Sequence, residues 1–329
     1  MQPTSARETQ PKTQPKTQPE TQPETQPEPQ PETQPETQPE PQPEPQPEAP
    51  RWFRAALALA PEHRETIVAG TPIHLRCWGT EDRPGLVFVH GGAAHSGWWD
   101  HVAPFFAGSH RVVALDLSGH GDSGRRPAYG MDSWADEVVA AAVAGGIAAR
   151  PLVVGHSMGG WVAVTAGVRH GGDLDGIAVI DSPLVDPPPE EEVLRRRRRG
   201  TRVYPSREAI LARFTTLPPQ DVVLPYVREH IKQQSVRPVE GGWSWKFDPK
   251  LFAERPPLRD LLPALRCRAA FIRSEFGLVP PEMAGTIDAL LGHRVPIVEL
   301  PDAGHHPMLD QPLPLVTALR MLLQQWAVS

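Results

Sequence analysis

The chain is poor in cysteine and has no long apolar run and no regular spacing of metal ligands. Only Cys77 and Cys267 occur in 329 residues, far apart. Two distant cysteines make no disulfide framework and suit a reducing compartment. No stretch of about eighteen apolar residues could span a bilayer, and the N-terminus lacks the apolar centre of a secretory signal. A soluble, cytoplasmic protein with no membrane partner is therefore expected. The thirteen histidines show no metal-ligand cluster, and no phosphate-cradling glycine loop precedes a lysine. No metal and no cofactor is expected. A net charge of −6 speaks against nucleic acid as a partner.

From Gln10 to about Ala49 large apolar residues are missing altogether. The segment repeats Gln-Pro-Lys-Thr, Gln-Pro-Glu-Thr and Gln-Pro-Glu-Pro, and holds many of the chain's 41 prolines. Such a segment cannot bury enough surface to offset the entropy of ordering, so residues 1–50 are expected to be a disordered, extended spacer. The remaining 280 or so residues suffice for one large α/β domain with an insertion.

From residue 85 onward, short apolar strands alternate with helical stretches. Gly85–Val89, Arg111–Leu117, Leu152–Val154 and Gly176–Ile180 read as strands, and residues 98–107, 132–147 and the segment after Ser157 as helices. Before them, residues 65–79 read as a hairpin. The order predicts a mostly parallel central sheet with helices on both faces. The alternation breaks at Asp186-Pro187-Pro188-Pro189 and resumes near residue 264, with strands expected at 269–273 and 295–300, loops after each (the second over 301–306), and helices at 281–291 and 313–326. Residues 51–183 and 264–329 are thus expected to form the core, and residues 184–263 an inserted helical cap. The cap contains the aromatics Phe214, Trp243, Trp245, Phe247 and Phe252, and the run Arg195 to Arg199. That run reads as a solvated helix face paired with Glu190 to Glu192.

The central motif is Gly155-His156-Ser157-Met158-Gly159, directly after an apolar strand and before a helix. A strand-to-helix turn this tight strains the serine and lifts its hydroxyl clear of the sheet, and glycine is needed two positions either side. The N–H of Met158, at a helix N-terminus, is placed to stabilise an oxyanion. A second donor is expected from His90-Gly91-Gly92-Ala93, at Gly92 or Ala93. Serine needs a base. Residues Ala303-Gly304-His305-His306-Pro307 supply two candidates, His305 and His306. The base needs an acid to fix its tautomer, and here Asp181 and Glu275 compete. In open parallel sheets ligands bind beyond the carboxyl ends of strands. His90, Ser157, Asp181, Glu275 and His305 all fall there. His90, His95, Trp98 and Trp99 are candidates for the substrate pocket, the tryptophans equally for the core, and His120 for a structural hydrogen bond.

Four segments together, His90-Gly91-Gly92, Asp116-Leu117-Ser118-Gly119-His120-Gly121-Asp122-Ser123, Gly155 to Gly160 and Gly304-His305, resemble the α/β-hydrolase-fold superfamily over about residues 60–328. The resemblance implies a Ser–acid–His triad with Ser157 as nucleophile and His305, rather than His306, as base. Many relatives carry Gly-x-x-Asp where this chain reads Ser274-Glu275-Phe276-Gly277. Others, including certain haloalkane dehalogenases, place the acid after the strand that follows the elbow, and Asp181 has that spacing. Asp181 is the expected acid, with Glu275 the alternative. A serine, not an aspartate, at the elbow points to acyl transfer to water. The expected protein is a cofactor-independent serine hydrolase of carboxylic esters whose substrate has an apolar part. A hydrolase of C–C bonds in ring-cleavage products and a non-catalytic binding protein on the same scaffold are the alternatives.

Overall fold

The centre of the molecule is an eight-stranded sheet, and its strand order creates the crevice in which the site lies. The computed structural model describes residues 48–185, 200–251 and 257–327. The expected tail up to residue 47, Glu190 to Glu192, the arginine run and Phe252 lie outside them. The described residues belong to one unit, Gln46–Ser329.

A short helix, α1 (Arg51–Ala58), leads into the hairpin β1 (Glu62–Val68) and β2 (Thr71–Trp78), which turns at Ala69-Gly70, both at positive φ. Then follow β3 (Gly85–Val89), β4 (Arg111–Leu115), β5 (Leu152–His156) and β6 (Gly176–Ile180). The intervening segment carries the separate hairpin β7 (Val236–Val239) and β8 (Gly242–Trp245), and after residue 264 come β9 (Arg268–Phe276) and β10 (Ile297–Gly304). The order across the sheet is β1-β2-β4-β3-β5-β6-β9-β10. The six strands from β4 to β10 run parallel, and β2 is antiparallel to both its neighbours. The chain goes from β3 outward to β4, then crosses back to β5 on the other side of β3. The loops after β3 and β5 therefore diverge, which opens a crevice at their carboxyl ends.

Strand burial follows from this layering. In β3, Leu86 and Phe88 face one helical layer while Val87 and Val89 face the other, and all are fully buried. Strands covered on both faces need apolar residues at every position, which is why these segments read as unbroken runs rather than alternations. One layer holds α2 (Met131–Ala144) and α3 (Met158–Arg169), and the opposite layer holds the long C-terminal helix, Pro312–Ala327.

Three expectations change. Residues 98–107 do not form one helix but two single 3₁₀ turns, Ser96–Trp99 and Ala103–Phe105. Pro104 lacks the N–H that a continuous helix would need there. The expected loop 301–306 is partly strand, since β10 continues to Gly304 across a bulge. The segment expected to be a helical cap is only partly helical. It has helices at Arg207–Leu211 and Pro225–Gln234, then a hairpin of β7 (Val236–Val239) and β8 (Gly242–Trp245). Gly241 and Gly242, both at positive φ, make its turn, and Val236, Trp243 and Trp245 are good strand formers. Among the described residues no helix is long and apolar enough to cross a membrane.

Candidate active site

The elbow between β5 and α3 holds Ser157 at φ 53 and ψ −119, a conformation closed to most L-residues. Its neighbours leave no alternative. A Cβ on Gly155 would lie 2.2 Å from the carbonyl oxygen of Gly159 on the following helix. One on Gly159 would lie 2.5 Å from the carbonyl oxygens of Val89, the last residue of β3, and of His90 just after it. Two bonds clamp the strained residue: its N–H donates to Ile180 at 2.9 Å, and the Ser182 hydroxyl donates to its carbonyl at 2.8 Å. Strain of this kind costs on the order of 1–3 kcal/mol and persists only where the surroundings enforce it.

The loop after β10 brings His305 over the serine. Its Nε2 is 3.0 Å from Ser157 Oγ, and its Nδ1 is 2.7 Å from Asp181 Oδ2. A carboxylate only accepts, so Nδ1 carries the proton and Nε2 turns its lone pair to the hydroxyl. Asp181 and His305 are both buried. Asp181 follows β6 directly, at φ 42. Its oxygens also accept from Leu278 N–H at 2.7 Å and Ser274 N–H at 3.2 Å. Three N–H donors, two from the main chain and one from His305, thus converge on this buried carboxylate and fix its position.

Glu275 has no part in this arrangement. β9 continues past the point where a loop was expected, so Glu275 sits on an exposed strand end and accepts from Asp302 N–H at 2.9 Å. His306 does not reach the serine either. Its ring lies against Trp98, His156 and His305, and burial pushes its pKa down to about 3.

Gly92 and Ala93 border the pocket beside Ser157, and Ala93 adopts φ 60. Among the described residues, no protein acceptor takes the N–H of Gly92, Ala93 or Met158. Gly91 is the close approach in this loop, since a Cβ there would lie 3.1 Å from His156 Nδ1.

Three residues expected in the substrate pocket do not line it. His90 is buried below the loop. Its Nδ1 donates to Gly91 carbonyl at 2.7 Å, and its Nε2 accepts from Leu117 N–H at 3.2 Å. His95 accepts from Gly97 N–H at 3.2 Å and donates to Ser235 Oγ, 3.0 Å away. Burial holds its pKa down at about 4. Trp99 is wholly buried and stacks on Phe88, centroids 4.7 Å apart. Only Trp98 borders the cavity. His120, also buried, packs on His90 with ring centroids 4.7 Å apart.

The cavity has a volume of about 150 Å³. Its outer wall comes from residues 213–217, Ser235, Trp245 and Phe247. Main-chain bonds tie this wall to the loop after β4: Gly121 N–H donates to Lys246 carbonyl at 2.7 Å, and Asp248 N–H to Gly119 carbonyl at 2.8 Å. Among the described residues, Arg213 is the one charged residue on the lining. Sequence reasoning missed it and its neighbours, because nothing local marks which residues of the covering segment turn inward.

It also missed the supports of the His305 loop. His156 donates from Nε2 to the His305 carbonyl at 2.7 Å. Gln220 accepts from His306 N–H at 2.9 Å and donates to Asp310, 2.8 Å away, whose carboxylate also takes Gly304 N–H at 2.6 Å. These partners come from distant parts of the chain, and only the histidine inside the elbow motif offered a local signal.

A family model described as "Alpha/beta hydrolase family" matches residues 86–318. An esterase of Mycobacterium tuberculosis is 27% identical over 270 residues, covering 79% of this chain and 88% of its own. A pimeloyl-[acyl-carrier protein] methyl ester esterase of Edwardsiella ictaluri is 29% identical over 247 residues, covering 71% of this chain and 91% of its own. Among solved structures, a thermophilic esterase from Thermogutta terrifontis superposes with a TM-score of 0.62 at 25% identity, covering 80% of this chain and 99% of that one.

Proposed function

The chain belongs to the alpha/beta hydrolase family and is a hydrolase, and we propose that within this family it is a serine esterase acting through Ser157, His305 and Asp181. The observation that carries this reading is the alignment of three groups: Ser157 Oγ 3.0 Å from one nitrogen of His305, and buried Asp181 2.7 Å from the other.

Ser157 Oγ attacks the ester carbonyl carbon as its proton passes to His305 Nε2. The carbonyl oxygen becomes an oxyanion that receives N–H bonds from Met158 and from Gly92 or Ala93. One such donor is worth about 2.7–4 kcal/mol in the transition state. Asp181 stabilises the imidazolium. The C–O bond to the alcohol then breaks, and His305 returns the proton to the departing oxygen. The acyl group is left on Ser157. Water, losing a proton to His305, attacks the acyl carbon, and collapse releases the acid and restores the serine. Every proton is moved by these side chains, so the scheme calls for no cofactor.

Within the inserted segment, residues 213–217, Ser235, Trp245 and Phe247 support its reading as a cap over the crevice. Trp98, Phe214, Leu217, Trp245 and Phe247 give the cavity an apolar lining, which supports a substrate with an apolar part. Cys77 and Cys267, both unpaired, support a reducing, cytoplasmic location.

A series of p-nitrophenyl esters of increasing acyl length tests the reading. The wild-type chain should hydrolyse some of them, and Ser157→Ala should lose on the order of 10⁴–10⁶ of kcat. Full activity in Ser157→Ala would refute it.

A further inference from the structure

Three imidazoles meet beside the reactive serine. His156, His305 and His306 each present a ring nitrogen, and the three nitrogens lie within 4.8 Å of one another. Their ring centroids are 4.9, 5.3 and 4.6 Å apart, pair by pair. All three are buried, yet His156 and His306 border the cavity with Ser157. A small ion that enters the cavity therefore meets His156 and His306, with the His305 Nε2 directed at the same serine hydroxyl.

The hydrogen bonds fix where the lone pairs are. His305 gives its Nδ1 proton to Asp181, which leaves Nε2 free to accept. His156 donates from Nε2 to a carbonyl, which leaves the lone pair on Nδ1. Among the described residues, neither ring nitrogen of His306 has a hydrogen-bond partner of good geometry. Buried polar atoms left unpaired are rare in folded proteins, and such an atom facing a cavity points to a ligand.

We infer that His156, His305 and His306 form a site for one divalent transition-metal ion of the zinc or copper class, and that occupancy switches the hydrolase off. The ion exchanges water ligands for three neutral imidazoles, so no proton is released. His305 Nε2 spends its lone pair on the metal, and the Ser157 proton loses its acceptor. Metal–nitrogen bonds of about 2.0–2.1 Å hold tetrahedral ligands about 3.3 Å apart. The rings must draw together slightly, and His306, whose ring nitrogens are unbonded, is free to move. Magnesium and calcium prefer oxygen ligands and should not compete. The switch rests on the roles given above to Ser157 and His305, whereas metal binding does not.

Binding is tested on the full chain, with Zn²⁺ by calorimetry and with Cu²⁺ by electron paramagnetic resonance. One zinc ion per chain and three nitrogen ligands on copper are expected in wild type and in Ser157→Ala. His306→Gln and His156→Gln, each first shown by melting to be folded, should weaken zinc binding at least about tenfold. Zn²⁺ should abolish ester hydrolysis as that site fills, chelation should restore it, and Mg²⁺ should have no effect. A copper spectrum with a single nitrogen would overturn the site. So would zinc affinity that follows His74→Gln, at the other His/Asp cluster with Asp116 and Asp122, instead of the two site variants. Filling of the site without loss of turnover would overturn the switch. A chain that binds zinc through His306 but hydrolyses no ester would support the site and refute the esterase reading.

Discussion

Gly277 and Asp181 approach so closely that a Cβ on the glycine would sit 2.3 Å from the Asp181 carboxylate. The β9 end folds over the acid here, with Ser274 and Leu278 donating to it from either side of the glycine. The position that holds the acid in many relatives has become the wall that holds Asp181. Gly277→Ala should push the carboxylate off His305. A fall in kcat of about a hundredfold or more, with KM little changed, is expected from steady-state kinetics. Wild-type kcat would show that the wall can yield.

Gly285 is the matching control. It lies on an exposed helix face within Pro281–Leu290, where an added Cβ meets nothing within 4 Å. Gly285→Ala should leave kcat unchanged and raise stability by about 0.5–1 kcal/mol in urea unfolding. A loss of stability would contradict the packing described.

The two carboxylates separate in a direct comparison. Asp181→Asn should lower kcat by about 10⁴, because the amide favours the wrong imidazole tautomer. Glu275→Gln removes the charge of an exposed group that accepts from Asp302 N–H and should stay within about twofold of wild type. The reverse pattern would move the acid to Glu275.

Buried histidines make the fold acid-sensitive. Burial lowers the pKa of His95 and His101 to about 4 and of His306 to about 3, and takes His120 and His156 well below the usual range. The folded state keeps these rings neutral, while the unfolded chain takes up protons as pH falls below about 6.5. Their contribution is thus complete above that pH and is lost toward the folded values, at about 1.4 kcal/mol per pH unit for each ring. Asp310, raised to about 6 by burial, and Glu137, also raised by burial, act in the opposite sense, but five groups oppose two. The melting temperature should fall by roughly 10 °C or more between pH 7.5 and 5.0. A flat profile would contradict the burial of these rings.

What the sequence reveals and what it hides divides along sequence distance. The elbow is legible because its constraints are local: Gly155 and Gly159 flank Ser157, and both avoid backbone. The parallel sheet is legible because strands buried on both faces leave unbroken apolar runs. The β7–β8 hairpin is hidden because its four-residue strands are interrupted by Pro238 and lie among prolines and charges. His90 and His95 look like pocket residues because they flank the oxyanion loop, yet their rings turn inward to bond Gly91, Leu117 and Ser235. The meeting of His156 with His305 and His306 is invisible to any spacing rule, since about 150 residues separate the elbow from the last loop and only the fold closes that gap.

The most direct measurement is the mass of the intact protein during turnover of a slowly released ester. The account predicts a population heavier by one acyl group, mapped to Ser157, that forms in wild type and fails to form in His305→Gln and in Ser157→Ala. Turnover with no acyl mass on the chain, or an acyl group on another residue with Ser157 unmodified, would contradict it.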